Sequence, residues 1–473
     1  MNTEQLYQAY LEARTHCGAG TAVTTDSRKI IPGCIFFAFK GETFDGNAFV
    51  PQALEHGAAL CVTSDPQYKM STRTPGDRPN CLVVPDVLKT LQDLAAYHRN
   101  RLTIPFVGIT GTNGKTTTKE LVHAVLSRRY RTHATAGNFN NHLGVPLTLL
   151  SMPADTQIAI VEMGANHPGE IEALCRIADP DCGLITNVGR AHLEGFGSFE
   201  GVVHTKTELY RHLAAKQGLV FVNADNERLM HEAERLATIP ATDSAIPAYA
   251  PATPILTPEA IAGTPLSLLT YGTCPEADVH GTYVESNPYV HFYFEVGDNV
   301  YNVRTHLLGA YNFDNCMAAV AVGLHFGVEP WDIKEAIEAY EPSNRRSQYK
   351  ETGRNRLFLD CYNANPSSMK AALASFATLP YPNKVPMLGG MKELGRDSRK
   401  EHQAIVNMLQ EGDYKQVILV GPEFDQTMSG DNLLWFSTAE EAVAYLHEHP
   451  LQDCTVLLKG SNSTHMWLLE AEL

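Results

Sequence analysis

The stretch TIPFVGITGTNGKTTTKEL, residues 103–121, decides the fold prediction. Its pattern predicts a short apolar strand, a loop rich in glycine and threonine, and a helix with apolar residues at helical spacing. Such a loop directs backbone N–H groups and the positive end of the helix dipole at one point, where a polyphosphate fits. The common phosphate-binding loop has a glycine six positions before its lysine, but Ile109 stands there. The stretch therefore predicts nucleotide binding by a variant loop, the alternative being a plain surface turn.

Further apolar strands follow this loop in the manner of a doubly wound parallel sheet. They are expected at IAIVEMG, CGLITNVG and GLVFVNAD, with helical segments between them. Residues 278–308 then alternate in period two around GDN, which predicts an antiparallel hairpin before a helix that begins near Asn312. The fold class is therefore predicted to be α/β.

The length of the chain predicts three domains, because 473 residues exceed the ~250–300 at which single cores stop growing. Residues 1–100 are expected to form a small α/β domain, and residues 101–340 a central nucleotide-binding domain. Residues 341–473 are expected to form a third α/β unit. Its strands are predicted at RLFLD, VPMLGG, KQVILVG and TVLLKG.

The composition excludes several classes of protein. A net charge of −16 repels polyanions, so a nucleic-acid partner is disfavoured. The first residues lack the basic start and apolar core of a signal peptide, and no apolar run approaches ~18 residues, so we expect a cytoplasmic protein without membrane insertion. The ten cysteines include no Cys-x-x-Cys pair and no zinc spacing, and are expected to be reduced and mainly buried.

GITGTNGKTTT resembles the ATP loop of the Mur ligase family, the ATP-dependent amide-forming enzymes of peptidoglycan precursor synthesis, in which the displaced glycine is normal. The similar motifs, in chain order, are TDSRKIIPGCIFFAFKGETFDGNAF (25–49), GNFNNHLGVP (137–146), VEMGANHPGEI (161–171), TNVGRAHLEGFGS (186–198), KTELY (206–210), GAYNFDNCMAA (309–319) and DCYNANPSSM (360–369). The set resembles the branch that joins D-alanyl-D-alanine to UDP-N-acetylmuramoyl-tripeptide through an acyl phosphate. It implies a three-domain architecture with a central P-loop ATPase domain and a Rossmann-like C-terminal domain, ATP and Mg²⁺ as cofactors, and a monomer.

The loop itself is expected to bind ATP, with Lys115 on the β- and γ-phosphates and the Thr116 hydroxyl on Mg²⁺. The resemblance implies that a helix of the central domain and residues of the third domain also bind ATP. The ATP-binding residues so predicted are Gly111, Thr112, Asn113, Gly114, Lys115, Thr116, Thr117, Asn315, Arg346, Asp360, Tyr362 and Asn363, with Asn365 beside them. The Asn315 amide can both donate to and accept from the edge of adenine. The alternative role of an asparagine near the start of a helix is to cap it, and that role better suits Asn312. Arg345 is the alternative to Arg346 as the arginine that reaches the ATP phosphates.

The resemblance also implies a metal and catalytic set. Thr116, Glu162, His192 and Lys206 as a carbamate are the expected Mg²⁺ ligands, and Lys115 completes the catalytic residues. Glu162 ends an expected strand, at the sheet edge that faces the ligand crevice. A histidine ligand is unusual for Mg²⁺, and only the resemblance favours it over a structural histidine. The alternative for Lys206 is a solvated helix lysine paired with Glu200 or Glu208.

Residues for the muramoyl substrate are implied in two places. Ser27, Arg28 and the turn KGETFDG (40–46) match the part of the family that holds the uridine nucleotide. Asn138 and Asn141 are expected to position the muramoyl peptide. Asparagine-rich loops are also ordinary turns.

The chain departs from the family at three positions: Tyr311 stands where a histidine is frequent, Gly390 where the branch commonly has the aspartate of Leu-Gly-Asp-Met, and Asn462 where an arginine often follows Lys-Gly-Ser. The alternatives are another Mur-type or folylpolyglutamate-type ligase that adds a different amine, and a catalytically silent nucleotide-gated binding protein. DCYNANP disfavours the first, and the joint presence of Lys115, Thr116, Glu162 and Lys206 disfavours the second. The third residue of the accepted peptide, meso-diaminopimelate or lysine, stays open.

Overall fold

The computed structural model describes residues 1–41, 44–70, 80–237, 266–343, 346–425, 427 and 432–473, and the strands of these residues lie in three sheets. The α/β class is confirmed. The sheets fall within the ranges 1–100, 101–340 and 341–473, whose limits remain predictions. No helix in the described ranges is both long and apolar enough to cross a membrane. No disulfide joins the cysteines of these ranges, and most of them are buried.

The N-terminal sheet is parallel, in the order β1-β2-β3-β4. Its strands are β1 (Val23–Thr24), β2 (Ile35–Phe37), β3 (Leu60–Thr63) and β4 (Cys81–Val83), and its helices are α1 (Thr3–Cys17), α2 (Val50–Glu55) and α3 (Val87–Arg99). The apolar runs of this region form β2, β3 and β4 because such runs suit strands that are covered on both faces. The small α/β unit predicted here is confirmed.

The central sheet has the order β13-β12-β11-β10-β9-β8-β5-β7-β6. Its strands are β5 (Phe106–Thr110), β6 (Thr132–Ala134), β7 (Ile158–Glu162), β8 (Cys182–Ile185), β9 (Leu219–Asn223), β10 (Ser267–Gly272), β11 (Val279–Ser286), β12 (Tyr289–Val296) and β13 (Asn299–Leu308). Its helices are α4 (Lys115–Leu126), α5 (Gly144–Leu150), α6 (Glu170–Ala178), α7 (Leu193–Phe196), α8 (Phe199–Lys206), α9 (Glu208–Ala215), α10 (Glu227–Ala237), α11 (Asn312–His325) and α12 (Pro330–Ala339).

The order of the central strands positions the candidate site. β5 pairs in parallel with β7 on one side and β8 on the other, so the segments that follow these strands meet at one edge of the sheet. The glycine-rich loop follows β5, Glu162 ends β7, and His192 follows β8. β12 and β13 form the predicted antiparallel hairpin, and α11 begins at Asn312 as expected.

The third sheet has the order β14-β15-β19-β16-β17-β18, parallel except for the edge strand β14. Its strands are β14 (Gln348–Glu351), β15 (Arg356–Asp360), β16 (Lys384–Gly389), β17 (Val417–Val420), β18 (Leu433–Phe436) and β19 (Thr455–Lys459), and its helices are α13 (Pro366–Thr378), α14 (Ser398–Glu411) and α15 (Ala439–Glu448). The predicted strands of this unit are confirmed as β15, β16, β17 and β19. The two edge strands, β14 and β18, were not predicted from the sequence.

Candidate active site at the carboxyl edge of the central sheet

Two glycines of the nucleotide loop have a left-handed backbone, Gly111 with φ +143° and Gly114 with φ +78°. A Cβ on Gly111 would lie 2.0 Å from the Thr186 hydroxyl oxygen. A Cβ on Gly114 would lie 2.5 Å from the Asn315 amide oxygen. The glycines are therefore required both by the turn and by the close approach of two other segments.

The segment after β8 holds the loop in shape. The Thr112 N–H donates to the Asn187 carbonyl (2.9 Å), and the Asn113 N–H donates to the Asn187 side-chain oxygen (3.0 Å). The Gly189 N–H donates in turn to the Thr112 hydroxyl (2.9 Å). Hydrogen bonds to the segment after β8 thus hold the conformation of the loop.

A cavity of about 370 Å³ opens between this loop and the third domain. The predicted residues that line it are Thr112, Asn113, Gly114, Lys115, Thr116, Thr117, Asn138, Glu162, Asn315, Arg346, Asp360, Tyr362 and Asn363. Most of the predicted ATP residues are therefore brought together by the tertiary structure, from segments far apart in the chain.

Lys115 begins α4 and lines this cavity. Its ammonium donates to the carbonyls of Gly111 and Thr112, both at 2.9 Å. Burial lowers the pKa of Lys115, the Glu162 carboxylate opposes that change, and Arg346 adds to it. An anionic ligand in the cavity would favour the charged form of this lysine.

Glu162 is 1% exposed and is held by two donors. Its Oε1 accepts hydrogen bonds from the Thr116 hydroxyl (3.2 Å) and from the Asn140 amide (2.7 Å). Its buried Oε2 has no hydrogen-bond partner among the described residues, which is costly for a carboxylate. A hard cation prefers such oxygen ligands, so Thr116 and Glu162 fit the predicted Mg²⁺.

His192 contacts the third domain. Its Nδ1 pairs with the Glu393 carboxylate, and its backbone is left-handed, with φ +50°. Burial lowers the pKa of His192, and Glu393 opposes that change. Among the described residues, no group of three or more His, Cys, Asp or Glu is arranged to hold a metal. The ligand role of His192 remains a prediction.

Lys206 is 2% exposed at the end of α8. Its Nζ lies 3.4 Å from the Ala165 carbonyl oxygen and 5.4 Å from the centre of the Phe196 ring. Burial lowers the pKa of Lys206 well below its usual value, and the charge of Lys115 adds to the effect. The alternative of a solvated, ion-paired lysine is wrong, because Glu200 pairs with Arg228 and Glu208 accepts the N–H groups of Gly169 and Glu172.

The third domain covers the cavity with an arginine, an acid and a lysine. The Arg346 guanidinium carbon lies 3.6 Å from the centre of the Tyr362 ring. Asp360 is paired with Lys459, which is 1% exposed and also donates to the Asn363 carbonyl (3.2 Å). Arg345, the alternative to Arg346, lies outside the described residues.

Asn315 is buried in α11 against the loop. Its side-chain oxygen accepts from the Thr118 hydroxyl (3.0 Å), and its amide donates to the Asn312 side-chain oxygen (2.7 Å). Asn312 is not a helix cap: Tyr311 precedes the helix, and the Asn312 amide donates to the Leu308 carbonyl (2.7 Å). The predicted contact of Asn315 with adenine stays a prediction.

The residues predicted for the muramoyl substrate are dispersed. Asn138 lines the cavity, but Asn141 accepts the N–H groups of Leu143 and Gly144 at the start of α5. Ser27 and Arg28 lie in the N-terminal domain, where Arg28 makes two 2.9 Å hydrogen bonds to Asp26. Glu42 and Thr43 of the predicted uridine turn lie outside the described residues.

Several polar residues of this site were not predicted from the sequence, notably Asn140, Asn187 and Lys459. Asn140 stands between the two asparagines that were chosen in the same motif. Lys459 ends the buried strand β19, and a lysine at the carboxyl end of a parallel strand is a signal that the sequence did offer.

Comparison with known families covers most of the chain. The family described as "Mur ligase family, catalytic domain" matches residues 21–99, "Mur ligase middle domain" matches residues 109–245, and "Mur ligase, glutamate ligase domain" matches residues 345–462. Each match lies within one of the three predicted domains.

Similar proteins agree with these matches. A Bacillus subtilis protein named UDP-N-acetylmuramoyl-tripeptide--D-alanyl-D-alanine ligase is 36% identical over 79% of this chain and 74% of its own length. An Escherichia coli protein of the same name is 31% identical over 94% of this chain and 92% of its own. The crystal structure of MurF from Acinetobacter baumannii superposes with a TM-score of 0.81 at 30% identity, covering 99% of this chain and 98% of that one. The three-domain architecture is therefore confirmed, and the chain belongs to the Mur ligase family.

Proposed function

We propose that this protein is an ATP-dependent ligase that joins D-alanyl-D-alanine to UDP-N-acetylmuramoyl-tripeptide in peptidoglycan precursor synthesis. The observation that carries the proposal is the cavity that unites the glycine-rich loop, Glu162 and the third-domain residues Arg346 and Asp360. The similarity to ligases of that name over most of the chain supports the choice of substrates.

The chemistry requires activation of a carboxylate, because a carboxylate does not condense with an amine in water. The γ-phosphoryl group of ATP passes to the carboxylate of the muramoyl tripeptide and forms an acyl phosphate, while ADP leaves. The amine of D-alanyl-D-alanine attacks the acyl carbon, the tetrahedral intermediate collapses, and inorganic phosphate leaves with the amide formed.

The side chains of the cavity suit this crowding of anions. Lys115 supplies a compact cation at the loop, and Arg346 supplies a second from the third domain. Thr116 and Glu162 would hold Mg²⁺, with His192 and carbamylated Lys206 as the further predicted ligands. When bound, Mg²⁺ offsets phosphate charge during transfer.

The position of the third domain suggests how water is excluded. Asp360, Tyr362 and Asn363 line the cavity together with the loop, so this domain would cover a bound nucleotide. The proposed path of the muramoyl substrate runs from Ser27 and Arg28 of the N-terminal domain, which would hold its uridine end, to Asn138 at the cavity.

Release of ADP by the purified protein tests the proposal. Muramoyl tripeptides with meso-diaminopimelate or lysine as the third residue are combined with D-alanyl-D-alanine, single L- and D-amino acids, or glutamate. We expect ADP release to need Mg²⁺ and both organic substrates, and to prefer the dipeptide. If single amino acids or glutamate support ADP release and the dipeptide does not, the protein is another Mur-type or folylpolyglutamate-type ligase. Nucleotide binding without ADP release in any mixture would indicate a silent binding protein.

A further inference from the structure

Lys119 is a buried lysine on α4 that the reaction described above does not use. It is 3% exposed, and its ammonium donates to the Thr135 carbonyl at 2.8 Å. Its ammonium also lies 3.8 Å from the Glu120 carboxylate. Burial of an ammonium is costly unless it is paired and hydrogen-bonded, so the contacts with Thr135 and Glu120 are what stabilise a lysine at this position.

Thr135, the acceptor of that hydrogen bond, is itself bound to the strand that carries Glu162. The Thr135 N–H donates to the Ile160 carbonyl (3.0 Å), and the Thr135 hydroxyl accepts the Glu162 N–H (3.0 Å). Thr135 is 1% exposed and follows directly after β6. Hydrogen bonds therefore connect the Lys119 ammonium to the backbone of Glu162 through one threonine.

The same threonine is the start of the loop that contacts the Glu162 side chain. Residues 136–143 leave β6 and bring Asn140 to Glu162, where its amide donates to Oε1 at 2.7 Å. The Asn140 carbonyl accepts the Gly164 N–H at 2.7 Å, just beyond β7. Asn138 of this loop lines the cavity. Anchoring Thr135 thus affects both the backbone and the side chain of Glu162.

We propose that Lys119 is a positioning residue for the cation-binding carboxylate of Glu162, acting through Thr135 and the loop that carries Asn140. Burial lowers the pKa of Lys119, and the negative charges of Glu162 and Glu120 oppose that change, so the Lys119 and Glu162 charges favour each other. This inference rests on the proposed function, since the cation in question is the one that accompanies ATP. Partners behind a metal ligand typically change metal affinity by about 10- to 100-fold when they are removed.

The test measures cation binding directly. Mn²⁺, a spectroscopic substitute for Mg²⁺, is titrated into the full-length protein with a non-hydrolysable ATP analogue, and bound Mn²⁺ is followed by electron paramagnetic resonance. Lys119→Met keeps the apolar length of the side chain and removes its charge and donors, whereas Lys119→Arg keeps both. Lys89→Met is the matched control, because the Lys89 side chain is 64% exposed on α3.

We expect Lys119→Met to weaken Mn²⁺ binding at least about tenfold and to raise the Mg²⁺ requirement of ADP release. Lys119→Arg should restore most of the affinity, and Lys89→Met should match the wild type. Wild-type binding by Lys119→Met would overturn the inference alone, and an arginine variant no better than the methionine variant would overturn the role given to the charge. Absence of Mn²⁺ binding in the wild type would overturn the proposed function, and this inference with it.

A second variant decides the question if Lys119→Met does not fold. Thr135→Val keeps the β-branched shape and removes the hydroxyl that accepts the Glu162 N–H. We expect Thr135→Val to weaken Mn²⁺ binding in the same direction and to lower the thermal midpoint without unfolding the protein, because the buried Glu162 N–H loses its acceptor. Wild-type affinity in Thr135→Val would overturn the connection from Lys119 to Glu162.

Discussion

Asn113 of the glycine-rich loop and Asn365 of the third domain form a reciprocal amide pair across the candidate site. The Asn365 amide donates to the Asn113 side-chain oxygen at 2.6 Å, and the Asn113 amide donates to the Asn365 side-chain oxygen at 3.4 Å. Asn365 is also the N-cap of α13, where it accepts the Ser368 N–H at 2.9 Å. The third domain therefore touches the phosphate loop through a residue whose conformation is already fixed by a helix.

Replacing Asn365 by serine separates these two roles. Serine is a good N-cap but too short to reach Asn113, so Asn365→Ser should raise the KM for ATP about two- to tenfold, the equivalent of one hydrogen bond, and leave stability nearly unchanged. Asn365→Ala should lose the cap as well, at about 1 kcal/mol of stability. Steady-state kinetics and thermal unfolding check both variants. An unchanged KM in Asn365→Ser would show that the pair does not contribute to the ATP-bound state.

Lys115→Ala removes the cation that we propose offsets phosphate charge during transfer. We expect kcat to fall by at least about 100-fold, with little change in the thermal midpoint, since the Lys115 ammonium is bound to loop carbonyls and not to the core. ADP release with saturating substrates provides the measurement. A kcat close to that of the wild type would place the ATP site elsewhere.

Lys206 is predicted to carry a carbamate. Only a neutral amine attacks CO₂, releasing a proton as the carbamate forms, and the lowered pKa of the buried Lys206 increases the fraction of that neutral form. We expect ¹³CO₂ to give a carbamate signal by nuclear magnetic resonance that Lys206→Ala lacks and Lys89→Ala keeps. Lys206→Ala should be nearly inactive and partly rescued by formate. Full activity of Lys206→Ala, or no signal in the wild type, would contradict this prediction.

Gly390, where the similar branch has an aspartate, lies against another carboxylate. A Cβ on Gly390 would lie 2.2 Å from Oε2 of Glu423, so Glu423 occupies the space that a side chain at position 390 would need. We expect Gly390→Asp to destabilise the protein by about 1–3 kcal/mol through overpacking and like charge. Adding Glu423→Ala should recover part of that loss. Urea unfolding of the two single variants and the double variant measures the coupling energy between positions 390 and 423. Purely additive changes in the free energy of unfolding would contradict the predicted contact.

His98 is expected to make stability depend on pH. It is 2% exposed between the N-terminal and central domains, where Arg14 binds both the His98 ring and the Met152 carbonyl. Burial, with Arg14 and Arg101 adding to it, lowers the pKa of His98 to about 4. The unfolded chain therefore binds more protons between pH 6.5 and 4, and stability should fall by up to about 3 kcal/mol as the pH drops through that window.

His98→Gln removes this titration and keeps a polar side chain. Urea unfolding at pH 7 and pH 5 should show a smaller loss of stability for His98→Gln than for the wild type. Equal losses in the two proteins would show that other groups cause the acid sensitivity.

Local pattern was enough for much of the fold. The strand, loop and helix of 103–121, the hairpin before α11 and four strands of the third domain were predicted because each depends on neighbours in the chain. Of the two edge strands that were not predicted, β18 is the apolar run LLWF, which local pattern did offer, whereas β14 was missed because its own residues give no strand signal. β14 is the polar run QYKE, and it is a strand only because β15 offers it hydrogen bonds from elsewhere in the chain.

The residues of the candidate site also fall into those that the sequence reveals and those that only the tertiary structure brings together. The glycines, Lys115 and Thr116 are recognisable from sequence alone because a phosphate loop is a contiguous structure. The partners that give these residues their geometry come from distant segments: Asn140 binds Glu162, Lys459 pairs with Asp360, Glu393 pairs with His192, and Asn365 pairs with Asn113. Only the tertiary structure decides such pairs, because the parallel strands of each sheet bring their carboxyl ends to one edge, and the meeting of two such edges is not encoded by any local periodicity.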